Sequence, residues 1–365
     1  MPKGPGLRFG ALPIRGNQDR EGSQMNVQTL EETARELVSP GQGILAADES
    51  FGTIGKRFEA LGIESSEESR RAYREMLFTT EGIGEFLSGV ILFDETFRQE
   101  ASDGTPMAEL LTNAGVMPGI KVDKSTVDLP LSEGEKFTQG LDDLGDRLAE
   151  YRELGARFTK WRAVITIGDG IPTESCIDAN AEALALYAAF AQEHGLVPIV
   201  EPEVLIDGDH SIEQCYDATE WMLYSTFGEL HDHGVELSGM LLKPNMVISG
   251  KDAQQQADVE EVASATVECL LRTVPAAVPG IVFLSGGQTD LQATAHLNAM
   301  NSMYEGLPWE LSFSYARALQ GQPMEIWGGD VDKVQAAQKA FRHRAKMNSA
   351  ARSGEYSEEM EDEAA

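Results

Sequence analysis

The chain has 365 residues, and 60 acidic against 29 basic side chains give it a formal net charge of −31. A surface this acidic repels phosphate backbones and anionic lipid headgroups, so neither nucleic acid nor a membrane is expected as a partner. Hydrophobic residues make up 42% of the sequence, which is ample for a large core and excludes a mainly disordered protein. Two explanations of the charge stay open: adaptation to high salt and an ordinary acidic surface.

The cysteines and the N-terminal region indicate the compartment. The three cysteines lie far apart and form no CxxC pair, which favours a reducing environment over a disulfide framework or a zinc ribbon. No apolar stretch approaches the roughly 18 residues that cross a bilayer, and the first residues lack the apolar core of a signal peptide. We therefore expect a cytoplasmic protein with a loose Gly- and Pro-rich arm over residues 1–28.

Eight short apolar runs follow one another along the chain, and Gly or Pro opens or closes them. In chain order they span residues 43–48, 89–93, 117–123, 158–165, 197–203, 239–245, 280–286 and 309–315. Their richness in Val, Ile, Leu and Phe is typical of strands buried on both faces of a parallel sheet.

The stretches between these runs have apolar residues three and four apart, as at 179–194, 212–231 and 257–273, which predicts helices. Eight strands alternating with helices predict an α/β fold, a single (β/α)8 TIM barrel, over residues 29–350. A doubly wound sheet is the structural alternative, disfavoured because no GxGxxG motif follows the first strand. Residues 351–365 form an acidic tail that we expect to be solvated, with folding over a site as the alternative.

Functional side chains of such a barrel lie at its mouth, meaning the carboxyl ends of the strands. Residues two apart on a strand point to the same face, so paired charges there can point into the mouth together. Because burying an unpaired charge costs several kcal/mol, such a set predicts a functional site rather than a stabilising one. The charged residues at these ends are Asp48, Lys121, Asp123, Lys160, Arg162, Glu201, Glu203 and Lys243.

Lys243 stands in the sequence LLKPN, directly after two leucines. An amine among apolar groups and neighbouring cations loses affinity for its proton, and a neutral amine can attack a carbonyl carbon to form a Schiff base. Lys160 is the candidate neighbouring cation, and Glu201, on the strand between the two lysines, could transfer protons. The alternative is a lysine that extends into solvent.

Two groups of residues predict anion binding. The sequences FLSGGQ and FSYAR follow the seventh and eighth strands, where many barrels bind phosphate, and offer Ser285, Gly286, Ser314 and Arg317. A second group after the first strand comprises Thr53, Lys56, Arg57 and Arg70. Two separate sites suggest a substrate with a phosphate at each end, although the second group could instead be a solvated helix face.

The sequence contains no HExxH motif, His/Cys cluster or EF-hand loop, so neither a metal nor another cofactor is expected. His231 and His233 lie in a polar HDH turn and are expected at the surface. His210 has no partner at the spacing of metal ligands.

The ordered motifs of residues 30–356 resemble those of class I, Schiff-base-forming fructose-1,6-bisphosphate aldolases. They are ILAADES, GVILF, GIKVDK, KWR, VPIVEPE, LLKPNM, FLSGGQ and FSYARALQ. The resemblance implies a metal-independent lyase of glycolysis and gluconeogenesis, assembled as a homotetramer. Its reaction would be the reversible cleavage of fructose 1,6-bisphosphate, a phosphorylated sugar, into dihydroxyacetone phosphate and glyceraldehyde 3-phosphate.

The resemblance also implies a role for each candidate residue. Lys243 would form the Schiff base, Asp48 would take the proton of the C4 hydroxyl, and Glu201 would act as acid and base for the imine. Lys160 and Glu203 would tune this chemistry. The remaining residues are substrate contacts: Lys121 and Arg162 beside the sugar, Ser285, Gly286, Ser314 and Arg317 at the C1 phosphate, and Thr53, Lys56, Arg57 and Arg70 near the other end.

The sequence departs from the family pattern at a few positions. It ends in Ala365, where animal members end in a tyrosine that assists proton transfer, and its last tyrosine is Tyr356. Ala316 stands where glycine is common, and its methyl group would crowd the phosphate if φ had to be positive. Thr53 replaces a common serine, and Phe51 replaces a small polar residue.

Two other functions stay open at this point. One is a different Schiff-base barrel, similar to a transaldolase or a deoxyribose-phosphate aldolase, and the other is a catalytically silent scaffold. The second basic group favours a bisphosphate substrate. The joint presence of Asp48, Glu201 and Lys243 argues against a scaffold, which needs no buried amine.

Overall fold

The computed structural model describes the backbone of residues 17–362 and the side chains of residues 27–362. The strands are β1 (Gly43–Ala47), β2 (Leu87–Leu92), β3 (Met117–Lys121), β4 (Thr126–Asp128), β5 (Lys136–Thr138), β6 (Phe158–Ile165), β7 (Val197–Val204), β8 (Leu241–Leu242), β9 (Gly280–Phe283) and β10 (Glu310–Tyr315). Eight of them close a parallel barrel in the order β1-β2-β3-β6-β7-β8-β9-β10, while β4 and β5 form a separate antiparallel pair. The predicted (β/α)8 barrel is confirmed, and each predicted apolar run overlaps one barrel strand.

Helices surround this barrel. They are α1 (Asn17–Leu37), α2 (Phe51–Ala60), α3 (Glu67–Phe78), α4 (Asp94–Arg98), α5 (Met107–Asn113), α6 (Leu144–Glu153), α7 (Glu174–Glu193), α8 (Ile212–Asp232), α9 (Val259–Thr273), α10 (Asp290–Met303), α11 (Arg317–Trp327) and α12 (Val334–Arg352). The three helices predicted from apolar spacing correspond to α7, α8 and α9. Helix α7 begins before its apolar pattern because the Thr173 side chain caps it by accepting from the N–H of Cys176. Among the described residues, no helix is long and apolar enough to cross a bilayer.

The lower half of the barrel interior, which we call the floor, is apolar. Phe158, at the start of β6, is fully buried there. A Cβ atom at Gly119 would overlap its ring, and one at Gly89 would lie 3.0 Å from it. The two glycines therefore leave the space that the phenyl ring fills, and burial of such a ring stabilises the fold by about 2–3 kcal/mol.

Helix α1 closes the floor from outside. Leu30, Ala34 and Leu37 follow the four-and-three spacing of one helix face and pack in the same buried cluster as Ile44 and Val197. The loose arm expected over residues 1–28 lies partly outside the described residues. From Asn17 onward the backbone is helical, which the sequence analysis did not predict. The anchored apolar face explains why the helix extends through the polar residues before it.

The described part of the C-terminal tail is only partly solvated. Tyr356 is buried, and its backbone N–H donates to Asn298 on α10 (3.0 Å). Glu361 accepts from the buried Arg344 of α12 (2.5 Å), from the Tyr356 hydroxyl (3.0 Å) and lies 3.1 Å from the His343 ring. The expectation of a solvated tail is therefore wrong for these residues, because a buried guanidinium recruits an acidic partner. Residues 363–365 lie outside the described part of the chain.

Register between strands sets the height of the charged side chains. Lys121 on β3 pairs with Lys160 on β6, and Arg162 pairs with Glu201 on β7. These residues alternate with outward-facing ones along each strand, so they point into the same end of the barrel. The chain thus places apolar residues at the floor and charged residues at the mouth.

Candidate active site

A continuous set of ion pairs occupies the mouth. The Lys160 Nζ atom lies 2.8 Å from Asp48 Oδ2 and 3.0 Å from Glu201 Oε2. The Lys243 Nζ atom lies 3.0 Å from Glu201 Oε1. Glu201 therefore bridges the two ammonium groups, as expected for a residue on the strand between them.

These four side chains are almost completely shielded from solvent. The side chains of Lys160, Glu201 and Lys243 are at most 4% exposed, and that of Asp48 is 12% exposed. Desolvation on this scale costs several kcal/mol per ion, and only close opposite charges offset it. Two cations and two carboxylates in mutual contact supply that compensation.

Lys243 does not extend into solvent. It directly follows the two-residue strand β8, and its backbone N–H donates to the carbonyl of Val200 on β7 (2.8 Å). This bond fixes the direction in which the side chain leaves the strand, toward Glu201. The alternative of a solvent-directed lysine is wrong.

The charges of the set hold one another ionised. Burial alone would raise the pKa of Asp48, but the ammonium groups of Lys160 and Lys243 outweigh it and hold that pKa well below its usual range. Burial likewise opposes the lowered pKa of Glu201, which Lys160, Lys243 and Arg162 produce. Burial would lower the pKa of Lys160, yet Asp48 and Glu201 raise it. At neutral pH both carboxyl groups are therefore anionic and Lys160 is cationic.

Two further ion pairs stand beside this set. Arg162 pairs with Glu203, and Lys121 pairs with Asp123. Asp123 Oδ2 also accepts from the backbone N–H of Arg162 (3.3 Å). The carboxylate of Glu203, expected to tune the amine of Lys243, thus has Arg162 as its ion-pair partner. The Arg162 side chain is 40% exposed, so this pair faces the opening of the barrel.

The loops after β9 and β10 form a polar cradle. Gly286 and Gly287 both have positive φ, +52° and +96°, which turns the backbone sharply after Ser285. A Cβ atom at Gly287 would lie 3.4 Å from Arg317 Nη2, so the loop and this guanidinium are adjacent. The Ser314 Oγ atom is buried without a hydrogen-bond partner among residues 27–362. Such an orphaned hydroxyl is free to bind an anion.

Ala316 does not strain this cradle. Its φ is −100°, outside the region that favours glycine. Crowding of the phosphate by the Ala316 methyl group was expected only for a positive φ, so this crowding is not expected here.

The second basic group is divided. Arg57 Nη1 donates to Glu49 (2.5 Å), whereas Arg70 forms a two-point ion pair with Glu95 (2.7 and 2.5 Å). Burial lowers the pKa of Arg317, and the positive charge of Arg57 lowers it further. Arg57 is thus close enough to Arg317 for their charges to interact, although its ion-pair partner is Glu49. Thr53 and Lys56 are exposed on α2.

Three features of the structure leave no local signal in the sequence. Glu49 directly follows Asp48 and looked like part of the same motif, but its carboxylate binds Arg57 and Arg74 (2.5 Å each) away from Lys160. The three-residue strands β4 and β5 gave no apolar signal. His233, expected at the surface, lies 3.1 Å from Glu182 on α7, a pairing across 51 residues that no local pattern reveals.

The barrel fold and the charged mouth together define a (β/α)8 barrel enzyme. The family model for fructose-bisphosphate aldolase class-I matches residues 29–365. The chain belongs to the class I fructose-bisphosphate aldolase family, whose members are lyases that perform aldol cleavage in glycolysis. This assignment confirms the function expected from the sequence motifs. It excludes the alternative of a different family of Schiff-base barrels.

Individual relatives agree with this assignment. A probable fructose-bisphosphate aldolase class 1 of Xanthomonas campestris pv. campestris is 56% identical over 333 residues, which cover 91% of this chain and 99% of that protein. The cytosolic fructose-bisphosphate aldolase 6 of Arabidopsis thaliana is 56% identical over 318 residues, 87% and 88% of the two chains. The solved aldolase of Plasmodium falciparum, in complex with TRAP and a small-molecule inhibitor, superposes with a TM-score of 0.90 at 47% identity, covering 91% of this chain and 96% of its own.

Proposed function

We propose that Lys243 carries the reaction by forming a Schiff base with the C2 ketone of fructose 1,6-bisphosphate. The observation that supports this assignment is the buried Nζ atom of Lys243, 3.0 Å from the carboxylate of Glu201. A nucleophilic amine needs a neighbouring group that takes and returns protons, and this carboxylate is within reach.

Imine formation would proceed in two proton-coupled steps. Lys243 first gives a proton to Glu201, and the neutral amine then attacks C2, while a second proton passes from the nitrogen to the ketone oxygen to give a carbinolamine. Glu201 returns its proton to the hydroxyl group, which leaves as water, and the nitrogen lone pair forms the C=N bond. Because Glu201 also contacts Lys160, that ammonium group stabilises the carboxylate that is formed again.

Cleavage would follow at the C3–C4 bond. Asp48, held ionised by Lys160, removes the proton of the C4 hydroxyl group. The electron pair of the C3–C4 bond moves into the protonated imine, which becomes an enamine, and glyceraldehyde 3-phosphate is released. Protonation at C3 and hydrolysis of the imine then give dihydroxyacetone phosphate and restore the amine.

Substrate binding would use the two basic regions of the mouth. Ser285, Gly286, Ser314 and Arg317 bind the C1 phosphate through the cradle described above. Glu203 positions Arg162, which contacts the sugar beside Lys121. The other end of the substrate lies toward Thr53, Lys56, Arg57 and Arg70, where Arg70 must share its donors with Glu95.

Borohydride trapping tests the Schiff base. Reduction in the presence of dihydroxyacetone phosphate should leave a stable mass adduct at Lys243 in the wild-type protein and none there in Lys243→Met. Lys136→Met, at an exposed lysine paired with Asp128, is the matched control and should keep the adduct. Absence of an adduct in folded wild-type protein would refute the proposal and favour a silent scaffold.

We also propose that the reaction needs no metal. Carbanion stabilisation by a protonated imine replaces the role that a divalent cation plays in metal-dependent aldolases. Prolonged dialysis against EDTA should leave the turnover number unchanged, and a large loss that zinc restores would contradict the mechanism.

We propose further that the enzyme is a cytoplasmic homotetramer with its catalytic barrel over residues 29–350. The cytosolic relatives of Arabidopsis thaliana support the compartment. The exposed aromatic residues Trp221 and Tyr224 on α8, 40% and 74% exposed, support association through this face. Light scattering at micromolar concentration measures the mass of the assembly directly.

A further inference from the structure

Glu49 is a buried carboxylate at the mouth that the proposed chemistry does not use. Its side chain is 4% exposed, although it directly follows Asp48 in the loop after β1. The two neighbouring carboxylates point to different partners. Asp48 reaches Lys160 inside the barrel, whereas Glu49 turns toward α2, α3 and α11 outside it.

Three donors saturate the Glu49 carboxylate. Oε1 accepts from Arg57 Nη1 of α2 (2.5 Å) and from Gln320 Nε2 of α11 (2.9 Å). Oε2 accepts from Arg74 Nη2 of α3 (2.5 Å), a guanidinium that is itself 3% exposed. Charge-assisted bonds of this length in a dry site fix the geometry of every group that takes part.

Gln320 extends the contact to the helix that begins at Arg317. Its amide also donates to the carbonyl of Ala46 on β1 (2.7 Å) and accepts from the Tyr73 hydroxyl (3.1 Å). Gln320 lies three residues after Arg317, in the first turn of α11, so the two share one side of that helix. The first turn of α11 is thereby tied to the strand that carries Asp48.

Arg57 on α2 and Arg317 on α11 are like charges, and Glu49 contacts the first directly and the helix turn of the second through Gln320. Like charges repel, so a fixed countercharge between the two helices stabilises the arrangement. Glu49 supplies that charge through its ion pair with Arg57.

We propose that Glu49 is a positioning residue, which holds Arg57 directly and the Arg317 helix turn through Gln320, so that the two arginines keep a fixed spacing for the phosphate groups of the substrate. This inference rests on the proposed binding of phosphate by Arg317. It adds to that proposal a residue that touches neither the substrate nor the reacting atoms.

The test is the variant Glu49→Gln in the full-length enzyme. An amide keeps the shape but cannot accept from two arginines at once. KM for fructose 1,6-bisphosphate and the inhibition constant of inorganic phosphate should therefore both rise about tenfold, the worth of one charge-assisted bond. The turnover number should stay within about twofold. Glu75→Gln is the matched control, because it removes an Arg71 partner on α3 remote from the mouth and should change neither constant.

A double-mutant cycle separates positioning from a general effect on stability. If Glu49 acts through Arg57, Arg57→Ala should weaken phosphate inhibition in the wild-type background and have little further effect in Glu49→Gln. Additive losses, or an unchanged inhibition constant in folded Glu49→Gln, would overturn the inference. Should Glu49→Gln not fold, Glu49→Asp, which keeps the charge but shortens the reach, is read by the same criteria.

Two measurements distinguish the positioning role of Glu49 from the aldolase mechanism. Phosphate inhibition involves no covalent step, so a shifted inhibition constant supports Glu49 even if borohydride leaves no adduct at Lys243. Conversely, a normal adduct with unchanged phosphate inhibition in Glu49→Gln would retain the aldolase mechanism and remove the positioning role.

Discussion

The floor and the mouth of the barrel are built from the same strands, but the floor is apolar and the mouth is charged. Strand β7 carries Val197 at the floor and Glu201 at the mouth, four residues later. The chain similarly places Ile44 at the floor and Asp48 just beyond β1. Apolar packing at the floor stabilises the fold, whereas the mouth holds the charged residues to which the proposed reaction is assigned. Substitutions in the two regions should therefore separate stability from catalysis.

Phe158→Ala should have the largest effect on stability. Removing the ring leaves a cavity beside Gly89 and Gly119, which should lower the free energy of unfolding by about 3–5 kcal/mol. Chemical denaturation measures this loss. The turnover number of the folded variant should stay near that of the wild type, and a proportional fall would break the separation between floor and mouth. Phe51→Ala, at a ring that is 53% exposed, is the control for stability.

Arg317→Ala should impair substrate binding and leave the free energy of unfolding nearly unchanged. Loss of its charged donors should raise KM for fructose 1,6-bisphosphate by roughly 10–100-fold, equivalent to about 1.5–3 kcal/mol. The free energy of unfolding should change little, because the residue keeps substantial solvent exposure and its truncation opens no cavity in the core. Steady-state kinetics with phosphorylated and non-phosphorylated ketoses check this prediction. An equal effect on both substrates would refute the assigned role, and Arg98→Ala serves as a remote control.

As the pH falls, the ion pairs at the mouth should lose their contribution to stability, whereas the apolar packing of the floor does not depend on pH. The folded-state pKa of Asp48 is lowered by Lys160 and Lys243 against the opposing effect of burial. Its contribution to stability is therefore complete above the unfolded pKa of about 4 and is lost as the pH falls below it. Asp48→Asn should reduce the slope of unfolding free energy against pH, between pH 4 and 2, by about 1 kcal/mol per unit.

The slope, rather than the absolute stability, is the readout of that experiment, since Asp48→Asn also leaves Lys160 with one partner fewer. Asp128→Asn, at a carboxylate whose side chain is 86% exposed, should leave the slope unchanged. Identical slopes in Asp48→Asn and the wild type would show that this carboxyl group is not held ionised by the mouth.

Ala316→Gly should have the smallest effect. Because φ at this position is −100°, glycine gains no accessible conformation that the site requires. KM should stay within about twofold, and the free energy of unfolding should fall by about 0.5–1 kcal/mol through greater freedom of the unfolded chain. A marked fall in KM would indicate that the methyl group hinders phosphate.

The barrel was predictable because each strand has a recognisable local sequence pattern. Runs of branched and aromatic residues closed by Gly or Pro located all eight, although β8 has only two residues, Leu241–Leu242, within the predicted range 239–245. The charged residues at the strand ends were also visible, since residues two apart share a face. Their convergence on Glu201 follows from closure of the barrel, which the alternation of elements predicts.

The missed features depend on contacts between distant segments. Glu49 and Gln320 are 271 residues apart, and neither has a sequence neighbour that reveals the bond between them. Arg57 looked like part of a separate anion site because its ion pair with Glu49, beside Gln320 of α11, leaves no local signal in the sequence. The docking of Tyr356 and Glu361 similarly requires the groove beside α12, which an acidic composition alone does not predict.

Among the described residues, α1 and Phe158 close the floor of the barrel, so the mouth is the opening to the charged residues. The bisphosphate and both triose products must therefore pass through the same opening. In the proposed mechanism the ketone fragment is attached to Lys243, so glyceraldehyde 3-phosphate has to depart before water hydrolyses the imine and frees the second triose. This covalent link predicts an ordered release, aldehyde first, and in the reverse direction an ordered addition, ketone first.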